Sequence, residues 1–458
     1  MISMDLKEIR HIVGGRFLRS DDRKEIKSFS IDSRTINPAD IFIAIKGKNH
    51  DGHDHIHEAI EKGASGIIAE RPCSEDLMDK VGNYMLVEDS LKAMWAIASA
   101  LRAKKNIPFI CITGTNGKTT VKEILSHILS AKYNVLKTQG SFNNLIGISL
   151  TSFFLSPEHD IAVFETGTNH PGEIAELSAM IRPEAAVITG IGDGHMEFFG
   201  TREGVFREKI SLLDNLSPGG TAFLNNDDLF LSCYVKRGVK IKYFGRLSGS
   251  DYEIRDIIAE DEGYTFSLNG EKYRIPFDGK HNIYNATAAI AVARYFGVEL
   301  EAINERLKTA TLPKMRLEKV KINGIVFIND SYNANPVSFE SAIETLSDIK
   351  TKGKKWVIAG NMLELGGQSA DFHRKLGMRI AARKFDMLVT LGDIAADIAQ
   401  GALSAGMDEK KVYMKNGHAE IYEHIKRTAE PGDVILLKGS RGAKMEEILK
   451  CFTTSCTH

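Results

Sequence analysis

Residues 107–120 read Ile107-Pro108-Phe109-Ile110-Cys111-Ile112-Thr113-Gly114-Thr115-Asn116-Gly117-Lys118-Thr119-Thr120, an apolar run that breaks into a glycine-containing loop. Beyond it, Val121, Ile124, Leu125, Ile128 and Leu129 recur at helical spacing on one face. Strand, small-residue loop and helix in that order form a cradle for phosphate. Small residues let backbone N–H groups approach phosphate oxygens, and the helix N-terminus adds a positive field. Lys118 is expected to reach the β- and γ-phosphates of a nucleoside triphosphate, and the Thr119 hydroxyl to ligate Mg2+. Only Thr115 and Asn116 stand between Gly114 and Gly117, where the widespread phosphate-loop pattern has about four residues.

Downstream of this loop, apolar runs at 161–164, 186–189 and 222–224 alternate with amphipathic segments, which predicts a parallel sheet covered on both faces. Near 251–277 the period changes to two, with Tyr264, Phe266 and Leu268 before Asn269-Gly270, the signature of an antiparallel hairpin. A helix over 282–296 ends at Gly297. Upstream, short apolar runs at 28–32, 41–46, 66–70 and 84–87, with helices near 56–60 and from Ser90, predict a small α/β unit leaving through a linker at 102–106. After Thr311-Leu312-Pro313, runs at 325–329, 356–359, 387–391 and 434–437 alternate with helices in a doubly wound pattern.

The chain therefore reads as α/β with three domains: 1–105, a central sheet domain over 106–312, and a Rossmann-like domain over 313–458. Its 458 residues agree with about three domains of roughly 150 residues each. Charged residues at 26% and hydrophobic ones at 43% exclude a disordered or fibrous chain. Lys plus Arg is 59 against 60 for Asp plus Glu, so no basic excess supports nucleic-acid binding. No apolar run approaches the roughly 18 residues of a spanning helix, and residues 1–10 lack a signal-peptide core. Cys73, Cys111, Cys233, Cys451 and Cys456 are scattered and without a CxxC pair, as expected of reduced thiols in a cytoplasmic protein that does not touch membranes.

Glu165 and His195 follow the second and third apolar runs of the central block. Strand carboxyl ends converge on a ligand crevice, so these two are expected beside the phosphate loop, where they could hold Mg2+. The run His50, His53, His55 and His57 offers an i, i+4 pair, but no cysteine or second ligand pair accompanies it; a solvated, locally bonded surface is expected.

Together these residues resemble the Mur ligases, the ATP-dependent amide-forming enzymes of peptidoglycan precursor synthesis. In the first block the resemblance rests on Asp32-Ser33-Arg34-Thr35, Asp40 through Gly47 and Asp51-Gly52-His53. In the second it rests on Gly114 through Thr120, Asn143-Asn144, Glu165-Thr166-Gly167, Asn169, Gly172-Glu173-Ile174, His195, Lys209, His281-Asn282 and Asn285-Ala286. In the third it rests on Asp330-Ser331-Tyr332-Asn333-Ala334-Asn335-Pro336, Met362 through Gly366 and Lys438 through Gly442. Asn361, Gly190 and Ala443 depart from the family pattern, at positions to which no chemistry is assigned.

The resemblance implies a ligase acting through an acyl phosphate, joining D-alanyl-D-alanine to UDP-N-acetylmuramoyl-tripeptide, as a monomer. It implies that Gly114, Thr115, Asn116, Gly117, Lys118, Thr119, Thr120, Asn282, Arg316 and Asp330 hold ATP. Thr119, Glu165 and His195 would hold two Mg2+ ions, with Lys118, His195 and a carbamylated Lys209 as the catalytic groups. Ser33, Arg34 and Lys46 would bind the uridine diphosphate, and Asn143, Asn144, Asn333, Asn335 and Pro336 the remaining substrate. From the residues alone, Lys209 equally suits an exposed helix face beside Phe206 and Ile210, Asp330 a turn or cap, and Arg34 and Lys46 solvated charge. The rival within the family is a MurE-type ligase adding a diamino acid to the dipeptide precursor; the Asp-Asn-Pro-Arg string of its diaminopimelate-specific members is absent. Folylpolyglutamate synthetase shares the phosphate loop but not the first block. A rival of another class is a phosphate-loop switch or motor ATPase.

Overall fold

A computed structural model describes residues 4–21, 26–47 and 49–453; Cys456 and the first three residues lie outside that range. The first sheet contains β1 (Arg16–Arg19), β2 (Ser28–Ser30), β3 (Asp40–Ile43), β4 (Gly66–Ala69) and β5 (Asn83–Leu86). Its order is β1-β5-β4-β3-β2, parallel except for the antiparallel β1 edge.

The central sheet holds β6 (Phe109–Thr113), β7 (Val135–Lys137), β8 (Ile161–Glu165), β9 (Ala185–Ile188), β10 (Thr221–Asn225), β11 (Lys240–Gly245), β12 (Tyr252–Ala259), β13 (Tyr264–Leu268) and β14 (Glu271–Ile275). The order is β14-β13-β12-β11-β10-β9-β6-β8-β7, so the hairpin expected near 264–275 continues the sheet at its far edge. Side chains of β6 alternate between two cores: Phe109 and Cys111 join Ala162 and Phe164 on one face, Ile110 and Ile112 join Ile161 and Val163 on the other. Burial on both faces is what makes these strands continuous apolar runs. Strand β6 pairs in parallel with β8 on one side and β9 on the other. The chain steps to one side of β6 and later to the other, so the strand order reverses there, and the phosphate loop opens at that reversal.

The third sheet contains β15 (Glu318–Ile322), β16 (Ile325–Asn329), β17 (Lys355–Gly360), β18 (Met387–Leu391), β19 (Val412–Lys415) and β20 (Val434–Lys438), in the order β15-β16-β20-β17-β18-β19. Only β15 runs antiparallel to its neighbour. Its Val320 and Ile322 alternate with Lys319 and Lys321, the half-covered pattern of an edge strand that the sequence reading passes over.

One expectation needs correction. Residues 102–104 are not linker: the helix Ser90–Lys104 carries Arg102 into the central unit. There its guanidinium lies 4.6 Å from the Phe109 ring centroid and donates to the Ile181 and Arg182 carbonyls, capping the C-terminus of the helix Glu173–Ile181. The first and central sheets also share one core, with the Phe29 and Phe153 rings 4.9 Å apart.

Candidate active site

The phosphate loop is built by two glycines in left-handed or extreme backbone positions. A Cβ on Gly114 (φ 145°) would meet Thr189 Oγ1 at 1.9 Å, and one on Gly117 (φ 84°) would meet Asn285 Oδ1 at 2.3 Å. Thr189, just past the end of β9, and Asn285, on the helix His281–Tyr295, therefore press directly on the loop backbone, which only glycine permits. Thr115 Oγ1 accepts from Gly192 N at 2.9 Å, tying the loop to the segment after β9. That segment is held from behind by Asp228, whose Oδ2 accepts from Ile191 N at 2.6 Å. The sequence reading did not single out Asp228, although the polar cluster Asn225–Asp228 closing β10 signals a strand end at the crevice.

Lys118 folds back over the loop, donating to Gly114 O at 2.9 Å and Thr115 O at 3.3 Å. Burial pulls its ammonium below the usual lysine range, with the Glu165 carboxylate opposing the shift. Thr119 and Thr120 are buried at the helix start. Arg316 Nη2 donates to Thr119 Oγ1 at 2.9 Å, and its guanidinium lies 4.3 Å from the Tyr332 ring centroid. Met315 and Leu317 on either side of Arg316 both have positive φ, so the arginine sits on a strained bend between the second and third units.

Glu165 ends β8 and is only 2% exposed. Its Oε1 accepts from Asn143 Nδ2 at 2.8 Å, while Oε2 has no partner among the described residues. Asn144 caps the helix Leu145–Phe153 through Gly147 N. His195 has φ 55° and its Nδ1 lies 2.6 Å from Glu364 Oε2; Glu364 belongs to the third unit and also has positive φ, at 62°. The His195 ring holds the Glu364 carboxyl below the usual carboxylate range.

Lys209 corrects the exposed-face alternative. It is 2% exposed, and its ammonium has no hydrogen-bond or ion-pair partner among the described residues. Burial, then the nearby Lys118 charge, brings its pKa down to about 7. Near neutral pH this is substantially a free amine. Its neighbour Glu208 points elsewhere, accepting from Gly172 N and Ile174 N and capping the helix Glu173–Ile181.

Asn282 is buried and accepts from Asn285 Nδ2 at 2.9 Å. Asp330 follows β16; its Oδ2 pairs with the buried Lys438, and its Oδ1 accepts from Leu317 N at 3.1 Å. Lys438 also donates to Asn333 O at 3.2 Å. Asn335 and Pro336 start the helix Pro336–Asp348, Asn335 as its cap and Pro336 as its first residue.

One cavity of about 830 Å3 gathers most of this set, though neither Gly114 nor Pro336 lines it. Its walls include Lys118, Thr119, Glu165, His195 and Lys209 from the central unit, and Arg316, Asp330, Asn333, Asn335 and Glu364 from the third. Tyr332 and Lys438 line it as well, and no role was read from sequence for these two or for Glu364. Ser33, Arg34 and Lys46 lie outside this cavity. Ser33 Oγ donates to Glu58 Oε2 at 2.6 Å, Arg34 grips Asp32 with two hydrogen bonds, and Lys46 is exposed. In the histidine run, His53 is bonded at both ring nitrogens, 2.6 Å from Asp51 Oδ1 and accepting from Glu70 N, while His57 faces Glu61.

Among the described residues no three His, Cys, Asp or Glu side chains converge on a metal-sized site. Mg2+ does not need such a cage: it keeps several waters and binds through one or two protein groups plus substrate phosphates. The free oxygen of buried Glu165 and the hydroxyl of Thr119 fit that requirement.

Residues 25–106 match the Mur ligase family catalytic domain, 112–293 the Mur ligase middle domain, and 315–441 the Mur ligase glutamate ligase domain. The chain is 35% identical over 455 residues to the UDP-N-acetylmuramoyl-tripeptide–D-alanyl-D-alanine ligase of Bacillus subtilis, covering 98% of both chains. It is 31% identical to the ligase of the same name from Escherichia coli, covering both chains completely. Its fold superposes on MurF from Acinetobacter baumannii with a TM-score of 0.89 at 30% identity, covering 98% of each chain. With MurF ligase from Thermotoga maritima in complex with ADP the TM-score is 0.83 at 29% identity, covering 93% and 97%. Three domain matches in order and full-length similarity lead to one conclusion: this chain belongs to the Mur ligase family, within its MurF group.

Proposed function

We infer that the protein is an ATP-dependent peptide ligase of peptidoglycan precursor synthesis, joining D-alanyl-D-alanine to UDP-N-acetylmuramoyl-tripeptide. The observation that carries this reading is one cavity walled by the phosphate loop on one side and by Asp330 and Tyr332 to Asn335 of the third unit on the other. Two substrates that must react with one another can meet there. Full-length similarity to ligases of that name supports the choice of substrates.

A carboxylate is a poor electrophile at neutral pH, and phosphorylation by ATP gives it a leaving group. The amine of the dipeptide then attacks, and the tetrahedral intermediate expels inorganic phosphate. Lys118 and Arg316 supply positive charge where the γ-phosphate is transferred, and the backbone N–H groups at the start of the helix Lys118–Leu129 add a fixed dipole. Asn282 and Asp330 are assigned to the nucleotide, with Thr115, Asn116 and Thr120 completing the loop around it. Mg2+ held by Thr119 and Glu165, and a second ion at His195, would neutralise phosphate charge. Lys209 is a buried amine whose lowered pKa of about 7 leaves a substantial neutral fraction, the form that adds to carbon dioxide to give an anionic carbamate. Ser33, Arg34 and Lys46 are assigned to the uridine diphosphate, and Asn143, Asn144, Asn333, Asn335 and Pro336 to the peptide ends.

The test is phosphate release from ATP and Mg2+ with the UDP-tripeptide, with and without D-Ala-D-Ala, and the product weighed by mass spectrometry. Release that depends on the dipeptide and yields the pentapeptide is expected. Activity with the dipeptide precursor and a diamino acid would move the assignment to MurE-type chemistry, and release with neither substrate to a simple ATPase.

A further inference from the structure

Lys122 lies one turn beyond Lys118 on the helix Lys118–Leu129, with its side chain fully buried. All three of its ammonium donors are used. They reach Thr138 O at 2.7 Å, Gly140 O at 2.8 Å and Glu123 Oε1 at 3.0 Å. Glu123 is partly exposed, whereas the other two acceptors are backbone carbonyls of one segment, so the ammonium acts chiefly on where that segment sits.

The two carbonyls belong to residues 138–144, which leave the sheet after β7 and have few ladder bonds of their own. This segment wraps Glu165. Thr138 Oγ1 accepts from Glu165 N at 3.1 Å, Asn143 O accepts from Gly167 N at 2.8 Å, and Asn143 Nδ2 holds Glu165 Oε1. One helix thus carries Thr119 and, a turn later, the cation that anchors the segment gripping Glu165.

We propose that Lys122 is a positioning residue for the divalent-ion site: it fixes residues 138–144 so that Asn143 occupies one oxygen of Glu165 and leaves the other for the ion shared with Thr119. The proposal rests on the Mg2+ reading of Thr119 and Glu165 given above.

The test is calorimetric binding of ADP to the full chain across a Mg2+ titration. The parent protein should bind ADP more tightly as Mg2+ rises. Outer partners of ligating groups commonly change metal affinity by about 10–100-fold, so Lys122→Met should raise the Mg2+ needed for half-maximal enhancement by about tenfold. Affinity for ADP without Mg2+ should stay as in the parent. Asn143→Ala should shift the titration in the same direction, and the double variant no further than the larger single effect, because both act through one chain of contacts. If Lys122→Met fails to fold, Lys122→Gln, which keeps two donors, should show a smaller shift of the same sign. A variant with lowered melting temperature and an unchanged Mg2+ titration overturns the proposal, leaving Lys122 a structural prop. A parent protein whose ADP binding ignores Mg2+ overturns the site reading itself, and this inference with it.

Discussion

Asn116 and Asn335, 219 residues apart, exchange hydrogen bonds through their side-chain amides: Asn335 Nδ2 donates to Asn116 Oδ1 at 2.8 Å, and Asn116 Nδ2 to Asn335 Oδ1 at 3.3 Å. Asn335 Oδ1 also accepts from Ser338 N at 2.8 Å as the cap of its helix. The phosphate loop is thereby tied to the N-terminus of a helix in the third unit. Asn335→Ala removes the cap and the cross-cleft pair, whereas Asn116→Ala removes only the pair. Chemical denaturation should show a loss of about 1 kcal/mol for Asn335→Ala, and at most about 0.5 kcal/mol for Asn116→Ala. Turnover should fall in both, with a coupling of about 1 kcal/mol in kcat/KM when the two are combined. Strict additivity in kcat/KM would show that the pair does not help close the cleft.

Among the described residues the Lys118 side chain hydrogen-bonds only to carbonyls of its own loop. Lys118→Ala should leave the circular dichroism and melting temperature near those of the parent. Turnover should drop at least about 100-fold, the usual loss when a preorganised charge at a transferring group is removed. Steady-state phosphate release with both substrates measures it; activity within a few-fold of the parent would remove its role.

Lys209, with its pKa near 7, should take up carbon dioxide increasingly between about pH 6 and about pH 8, as the amine loses its proton. A carbamate resonance should appear by NMR with 13C-bicarbonate and vanish in Lys209→Ala. Turnover lost in that variant should return in part with short carboxylic acids. Absence of the resonance in the parent across this range would count against carbamylation.

His373 is buried, and both ring nitrogens are committed: Nε2 accepts from Met362 N at 3.0 Å, so Nδ1 carries the proton donated to Ser369 O at 2.7 Å. Burial holds its pKa below the usual histidine value. In the unfolded chain the ring protonates near pH 6.5, so below that point the unfolded state binds more protons and stability falls as pH falls. Above it the contribution is complete. Urea denaturation at stepped pH should show this slope, and His373→Gln should flatten it. The bond to Met362 N also fixes the segment that presents Glu364 to His195.

Removing residues 1–105 would uncover Phe153 and Phe109, which pack against Phe29 and Arg102. The remaining protein should melt at a lower temperature and bind hydrophobic dyes. A truncated chain that melts like the parent would show the shared core to be dispensable.

Much of the site was legible because it is local. Gly114 through Thr120 reads as a loop between a strand and a helix because an apolar run, two glycines and a helical period follow one another directly, and strand Phe109–Thr113 and helix Lys118–Leu129 flank it in the structure. Strand-end logic likewise put Glu165 and His195 at the crevice, because parallel strands buried on both faces read as unbroken apolar runs and their ends stand out. Burial of Lys209 was not legible: a lone lysine between Glu208 and Ile210 has the same pattern whether its helix faces water or a cleft. Nor could any local pattern show that Arg102 docks on the central unit, that Glu364 meets His195, or that Lys122 anchors residues 138–144. The sequence by itself determined the three α/β units and the strand, glycine loop and helix around Gly114–Thr120, because hydrophobic period and backbone permissiveness act over neighbouring residues. Tertiary structure alone decided which charges are buried, which carboxylate oxygen stays free and which residues meet across the cleft, because those depend on segments as distant in the chain as Thr115 and Gly442 being packed around one cavity.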